Sequence, residues 1–248
     1  MSSKKHPRLK FKCPLQIKCR PCAHSENITT SINTSSNTPS DEPSVSTNLG
    51  PVALDCEMVG VGIKKVDALG RVSIVDYEGQ LLYDAIVHPE EEITDYRTPW
   101  SGIRQEDMSR AIEYSCAREH VQSIIQNRIL VGHSLNRDLH VLNLEHPSHL
   151  VRDIAKVQYP KLLAGFLVKN PIGLRALTIR LFGVSIQDGE HCSIEDACAS
   201  MAIYRLVEEV WQRDLVKGMK KTRKRQSGTH SHTDNNHRDM SVESSETK

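Results

Sequence analysis

An apolar run, "VALDCEMVGVG" at residues 52–62, carries two carboxylates, Asp55 and Glu57, with only Cys56 between them. Runs of this composition predict a buried strand. Strand side chains alternate faces, so the two acids point the same way. Like charges side by side repel, and burying either unpaired costs roughly several kcal/mol. A fold that keeps this strand inside must neutralise the pair.

The strand belongs to a middle region that differs from both ends. Residues 1–50 contain one aromatic, Phe11, and the Ser/Thr/Asn/Pro tract "ENITTSINTSSNTPSDEPSVSTN", which buries too little to fold. Residues 216–248 are equally polar, so both ends are expected to be disordered and residues 51–215 to form one domain. Each end carries a net +4, which leaves the middle at −7 within a chain total of +1. Basic arms around an acidic domain point to a polyanionic partner held partly by the arms. Solubility and addressing are the alternatives, and "KKTRKR" suits nuclear import as well as phosphate contact.

No apolar stretch resembles a signal peptide or approaches the ~20 residues of a membrane span, so no membrane partner is expected. The Asn-x-Ser/Thr matches at Asn27 and Asn33 are then coincidental. Seven scattered cysteines indicate a reducing compartment. Cys13, Cys19, Cys22 and His24 offer four zinc ligands, but their spacing fits no standard finger and no apolar run surrounds them.

Within the middle region, "GRVSIVDYEG" and "QLLYDAIVHP" read as strands joined by a hairpin at Glu78-Gly79. "TDYRTPWSGIR" reads as a loop, and "REHVQSIIQN" as a helix with Val121, Ile124 and Ile125 on one side. "RILVGH" is a short buried strand feeding a helix over "NRDLHVLNL", and Val151–Asp153 is a further strand. A helix over "GLRALTIRLFG" ends at Gly183. The last helix is expected from Ser193 to about Asp214, with Ile194, Ala197, Met201, Tyr204, Val207 and Trp211 on its core stripe. Strands followed by alternating helices and strands predict an α/β fold, a mixed central sheet flanked by helices.

Three more residues join the acidic pair. Asp138 opens the helix after "RILVGH", Asp196 lies in the first turn of the last helix, and His191 sits five residues before it. Strand ends and nearby helix N-termini are where ligands collect in such sheets. Each residue also has a structural explanation. Ser193–Asp196 fits a capping box, Asp138 complements a helix dipole, His191 is a loop residue, and Asp55 pairs with a core arginine. Four carboxylates gathered at one site need cations. Two Mg²⁺ or Mn²⁺ ions bridged by shared carboxylates would clamp the attacking and leaving oxygens of a phosphodiester.

"ALDCEMVGVG", "RVSIV", "DYRT.WSGIR", "RILVGH", Asp138-Leu-His-Val-Leu and "EHCSIEDA" together resemble the DEDDh 3′→5′ exonucleases. Within them, the resemblance is to the branch holding the interferon-stimulated exonuclease and the RNA exonuclease four type, over about residues 51–211. It implies an RNase-H-like fold and two-metal hydrolysis releasing nucleoside 5′-monophosphates. By that match Asp55, Glu57, Asp138 and Asp196 hold the metals and His191 is the general base. It further implies a single-stranded RNA substrate, a role in ribosomal RNA processing, and a nuclear, nucleolar location. Met58 and Arg97 are candidates to flank the terminal ribose. A DNA exonuclease of the same fold, a non-catalytic RNA-binding scaffold and an N-terminal zinc module are the other readings. No carboxylate or histidine of the set is missing, which argues against the scaffold.

Two departures stand out. Arg137 precedes Asp138 where relatives usually show Asn or His, and it either contacts a phosphate or pairs with Asp138. The stretch "RDIAKVQYPKLLAGFLVKNP" also differs from the family pattern.

Overall fold

The computed structural model describes residues 50–167 and 170–227, so the Cys13, Cys19, Cys22 and His24 cluster lies outside the described residues. The chain divides into two compact units, the first ending at Val207 and the second beginning at Glu208.

Seven strands form the sheet: β1 (Val52–Val61), β2 (Val66–Val75), β3 (Leu81–His88), β4 (Ile93–Asp95), β5 (Ile112–Glu113), β6 (Leu130–Gly132) and β7 (Val151–Asp153). Their order is β5-β3-β2-β1-β6-β7, with β4 against the end of β1. The first three are antiparallel, whereas β6 runs parallel to β1 and β7 parallel to β6. The hairpin expected at Glu78-Gly79 is present. Asp76 accepts the backbone N–H groups of Glu78 and Gln80, and Gly79 takes a φ of 82° that suits glycine. The region read as a loop at 94–104 contains the end of β4 and a helical turn, α1 (Thr98–Ser101).

The longer helices are α2 (Tyr114–Ile125), α3 (Asn136–Val141), α4 (Tyr159–Leu163), α5 (Leu174–Phe182) and α6 (Ser193–Ser227). Alternation decides what β1 shows to each. Val52, Leu54 and Cys56 join Val72 and Ile74 in one core with Val121 and Ile125 of α2 and Val141 of α3. Asp55 and Glu57 therefore point to the opposite face. Ser73, the register partner of Asp55, shares that face and meets Ser193 of α6 at 2.6 Å. Arg205 of α6 reaches the Tyr77 carbonyl beyond the end of β2, so the helix crosses the acid-bearing side of the sheet.

A bulge interrupts the β1–β2 ladder beside the acids. Glu57 pairs with Arg71, but Met58 pairs with Leu69, which leaves Gly70 without a partner. The extra residue returns Leu69 to the Leu54 core, breaking the alternation set by Ser73 and Arg71. A Cβ on Gly70 would lie 2.6 Å from Ile103 and 2.8 Å from Val59, so the crowding admits only glycine without movement.

α6 overturns one expectation. The sequence places the helix end near Asp214 and disorder over 216–248, whereas the helix continues to Ser227 and residues 228–248 lie outside the described residues. Lys, Arg and Gln are good helix formers, no proline intervenes, and extending an existing helix avoids the cost of nucleation. Its stripe is as expected at Ala197, Met201, Tyr204, Val207 and Trp211, all buried, whereas Ile194 is only half-buried. α5 ends at Gly183, whose left-handed φ of 72° closes it. Among the described residues no helix is long and apolar enough to cross a membrane.

Candidate active site

Two acids on one strand, Glu57 buried and Asp55 half-buried, need an account of their partners, and Arg71 is the natural first candidate because it stands opposite Glu57. Its guanidinium goes elsewhere. Nε and one terminal nitrogen bind the two oxygens of Asp84 at 2.8 Å each, and Ser73 donates to the same carboxylate. Arg71 thus lowers the Glu57 pKa while its ion pair is with Asp84, and among the described residues Asp55 makes no ion pair with an arginine.

The rest of the fold brings more acid. Anchored through Ser193, α6 sets Asp196 beside the pair, so that one oxygen from each of Asp55, Glu57 and Asp196 lies within 4.8 Å of the others. Asp196 does not act as a capping-box acid. Its Oδ2 accepts the Gln187 amide at 2.7 Å, its Oδ1 is buried without a partner, and the Ser193 hydroxyl faces Ser73. Asp138 arrives from the other side. β6 ends at Gly132, which leaves the β1 edge open, and the Asp138 Oδ1 accepts the Cys56 backbone N–H at 3.0 Å. Asp138 lies outside the 4.8 Å group but lines the same cavity of about 530 Å³ and is close enough to raise the Asp55 pKa.

The electrostatics follow from that crowding. Burial, and then the charges of Asp196, Asp138 and Glu57, push the Asp55 carboxyl well above the carboxylate range, although part of its surface stays open to the cavity. Burial and Asp196 push Glu57 up to about 8. Burial raises Asp138 and Asp196 to about 7 each, against hydrogen bonds that lower them. Four acids held this way are starved of positive charge, and Glu57 Oε1 and Asp196 Oδ1 are buried acceptors with no donor. This donor set, all hard oxygen, fits divalent cations such as Mg²⁺ or Mn²⁺. Asp55, Glu57 and Asp196 would share one, and Asp138 with Asp55 would reach a second.

His191 lies on the cavity wall with a loop fixed at two points. Its backbone N–H donates to the Trp100 carbonyl of α1, and neighbouring Glu190 is paired with Arg104. Half-burial lowers its pKa below the ordinary value, so the ring is neutral and able to accept a proton near pH 7.

The two candidates for the ribose differ. Met58 packs against the Leu54 core and also lines the cavity. Arg97 lines it too, but its terminal nitrogens are engaged by Asp67 at 2.7 Å and the Lys65 carbonyl at 2.8 Å. This holds the β1–β2 turn to the start of α1 through an ion pair within the loop region.

Gln187 and Asp153 were not singled out from the sequence, since neither lies in a periodic pattern. Gln187 orients Asp196. Asp153, at the end of β7, accepts the Ser134 N–H at 2.8 Å and so fixes the turn from which α3 presents Asp138. A charged residue closing a short buried strand is the available signal for Asp153. For Gln187, in an irregular loop, there was none.

A family model described as exonuclease (RNase_T) matches residues 52–204. Human RNA exonuclease 4 is 43% identical over 162 residues, which is 65% of this chain and 38% of that protein. The bovine interferon-stimulated 20 kDa exonuclease-like 2 is 41% identical over 168 residues, 66% of this chain and 48% of that protein. The chain thus spans less than half the length of these relatives. Among solved structures, the Saccharomyces cerevisiae Pan2 pseudoubiquitin hydrolase–RNA exonuclease module in complex with AAGGAA RNA has a TM-score of 0.57 and 26% identity. That match covers 75% of this chain and 33% of the Pan2 chain.

Proposed function

The chain belongs to the RNase_T exonuclease family and has its RNase-H-like fold, and from that premise we propose that it hydrolyses single-stranded RNA from the 3′ end, releasing nucleoside 5′-monophosphates. The observation that carries this reading is the convergence of Asp55, Glu57, Asp138 and Asp196 on one cavity, with orphaned buried oxygens on Glu57 and Asp196. Asp55, Glu57, Asp138 and Asp196 would hold two divalent cations there, which when bound would supply Lewis-acid chemistry at the phosphate. The protein's own part is to hold and to move protons. Asp55 and Glu57 are aimed together by strand alternation, Asp196 is held by Gln187, and Asp138 by the Cys56 N–H. The neutral His191 ring takes the proton of the attacking water. RNA as the strand is supported by the similarity to relatives named RNA exonuclease 4 and to a Pan2 module solved with RNA.

Digestion of matched 5′-labelled RNA and DNA single strands tests the proposal. With Mg²⁺ or Mn²⁺ the RNA should shorten stepwise from its 3′ end, faster than the DNA, and EDTA should stop both. Full activity in chelator would sink the metal mechanism, and faster DNA cleavage would reassign the substrate.

We also place the protein in the nucleus, at the nucleolus, with ribosomal RNA precursors as the substrate class. The basic run Lys220–Arg225 supports the address, and the family resemblance supports the substrate. Replacing the five cations of that run with Gln keeps helix-compatible residues. It should redistribute a tagged chain from nucleus to cytoplasm; unchanged nuclear accumulation removes the run from that role.

A further inference from the structure

Phosphate is the repeating feature of the proposed substrate, and a cavity floored by four carboxylates repels it. Most arginines among the described residues are already engaged. Arg71 pairs with Asp84, Arg97 with Asp67, Arg104 with Glu190 and Arg175 with Asp188. Others cap backbone carbonyls, as Arg118 does at Asn143, or lie over a ring, as Arg180 does over Phe166. Among the described side chains, Arg137 is the arginine whose guanidinium has no hydrogen bond, ion pair or ring contact.

Its position gives that freedom meaning. Arg137 lines the same cavity as Asp55 and His191, and it is exposed where Glu57, Asp138 and Asp196 are buried. The backbone N–H of Arg137 donates to the Ser134 carbonyl at 3.0 Å, so the residue leaves a fixed turn. The sequence leaves open a pairing with adjacent Asp138, but that carboxylate accepts the Cys56 N–H instead. An unengaged planar fork at the rim of an acidic cavity matches a phosphate, which it can grip through two parallel N–H donors.

We infer that Arg137 binds a backbone phosphate of the entering strand at the cavity rim, one that is not being cleaved. The inference rests on the proposed function for the identity of the strand as a nucleic acid. Because the cleaved phosphate belongs at the carboxylate floor, Arg137 contributes to strand binding and not to the chemical step. RNA and DNA share the group it recognises, so it favours neither.

The test compares the full chain with its Arg137→Ala and Arg137→Lys variants on one short fluorescent single strand. Binding is measured in EDTA across a salt series, so it stands or falls separately from hydrolysis. Arg137→Ala should raise Kd roughly 10–100-fold, as expected for loss of charge-assisted hydrogen bonds. The slope of log K against log salt should flatten by about 0.7, the value for one phosphate contact on a single strand. With metal present, KM should rise while kcat stays nearly constant. Arg137→Lys should retain the salt slope and recover part of the affinity, since the charge remains without the fork. Mn²⁺ affinity and melting temperature should not move. A parental Kd and salt slope in Arg137→Ala overturn the inference, and so does a parallel loss of Mn²⁺ affinity, because Arg137 would then act through Asp138.

Discussion

Asp55→Asn is expected to lower turnover by roughly 10³-fold or more while the fold stays intact. Metal-ion stabilisation of developing charge is worth several kcal/mol, and each 1.36 kcal/mol is tenfold in rate. Asn keeps the shape of the side chain but removes the charge that holds the cation. The same substitution should stabilise the metal-free protein at pH 7–8, since it removes one charge from a group repelled by Asp196, Asp138 and Glu57. A rise of about 2–4 °C in Tm is expected for each kcal/mol recovered. The pH dependence has a definite sign. A carboxyl whose pKa is raised by folding holds its proton more tightly in the folded state. Its contribution is therefore intact below the unfolded value near 4 and is lost as pH rises through the folded value. With Glu57 at about 8 and Asp138 and Asp196 at about 7, the metal-free protein should lose stability between about pH 4 and pH 8. Saturating Mn²⁺ should flatten that decline. Thermal melts over this range, with and without metal, decide it. A metal-free Tm many degrees lower in Asp55→Asn would show that Asp55 has a structural partner instead.

His191→Ala should slow hydrolysis by roughly 10²–10⁴-fold, the range for a general base, and leave Mn²⁺ affinity unchanged. The side chain lies on the wall of the cavity and outside the group of Asp55, Glu57 and Asp196 oxygens, so its loss removes a proton acceptor and no ligand. Because burial sets its pKa below the ordinary value, the parental rate should climb with pH through a step below about 6.5. That acid limb should be absent from the variant. Calorimetric Mn²⁺ titration of the two proteins separates the roles, since weakened metal binding would make His191 a ligand.

What was legible in the sequence was local. Alternation along "VALDCEMVGVG" is enough to put Asp55 and Glu57 on one face, because a strand's period of two leaves no other arrangement. The β2–β3 hairpin follows from Glu78-Gly79, the end of α5 from Gly183, and the buried stripe of α6 from its helical spacing. Motif resemblance implies metal-holding roles for Asp138 and Asp196 and a general-base role for His191, whereas spacing alone left them beside a dipole, a cap and a loop. Other features were illegible because they depend on which segments become neighbours. Gly70 reads as an ordinary strand glycine until Ile103 and Val59 close around it. Residues 216–227 read as polar disorder by composition, yet they extend an existing helix, where propagation costs little.

Local pattern along the chain is enough for the acidic pair, the α/β order of elements and the family. Where the compensating charges go depends on how the folded segments meet. Asp84 takes Arg71 away from Glu57 and Asp67 takes Arg97, while Asp138 turns to the Cys56 N–H and leaves its neighbour Arg137 open to the cavity. Hydrogen bonds and ion pairs act over about 3–4 Å between groups that the fold brings together, and no pattern along the chain fixes that choice of partner.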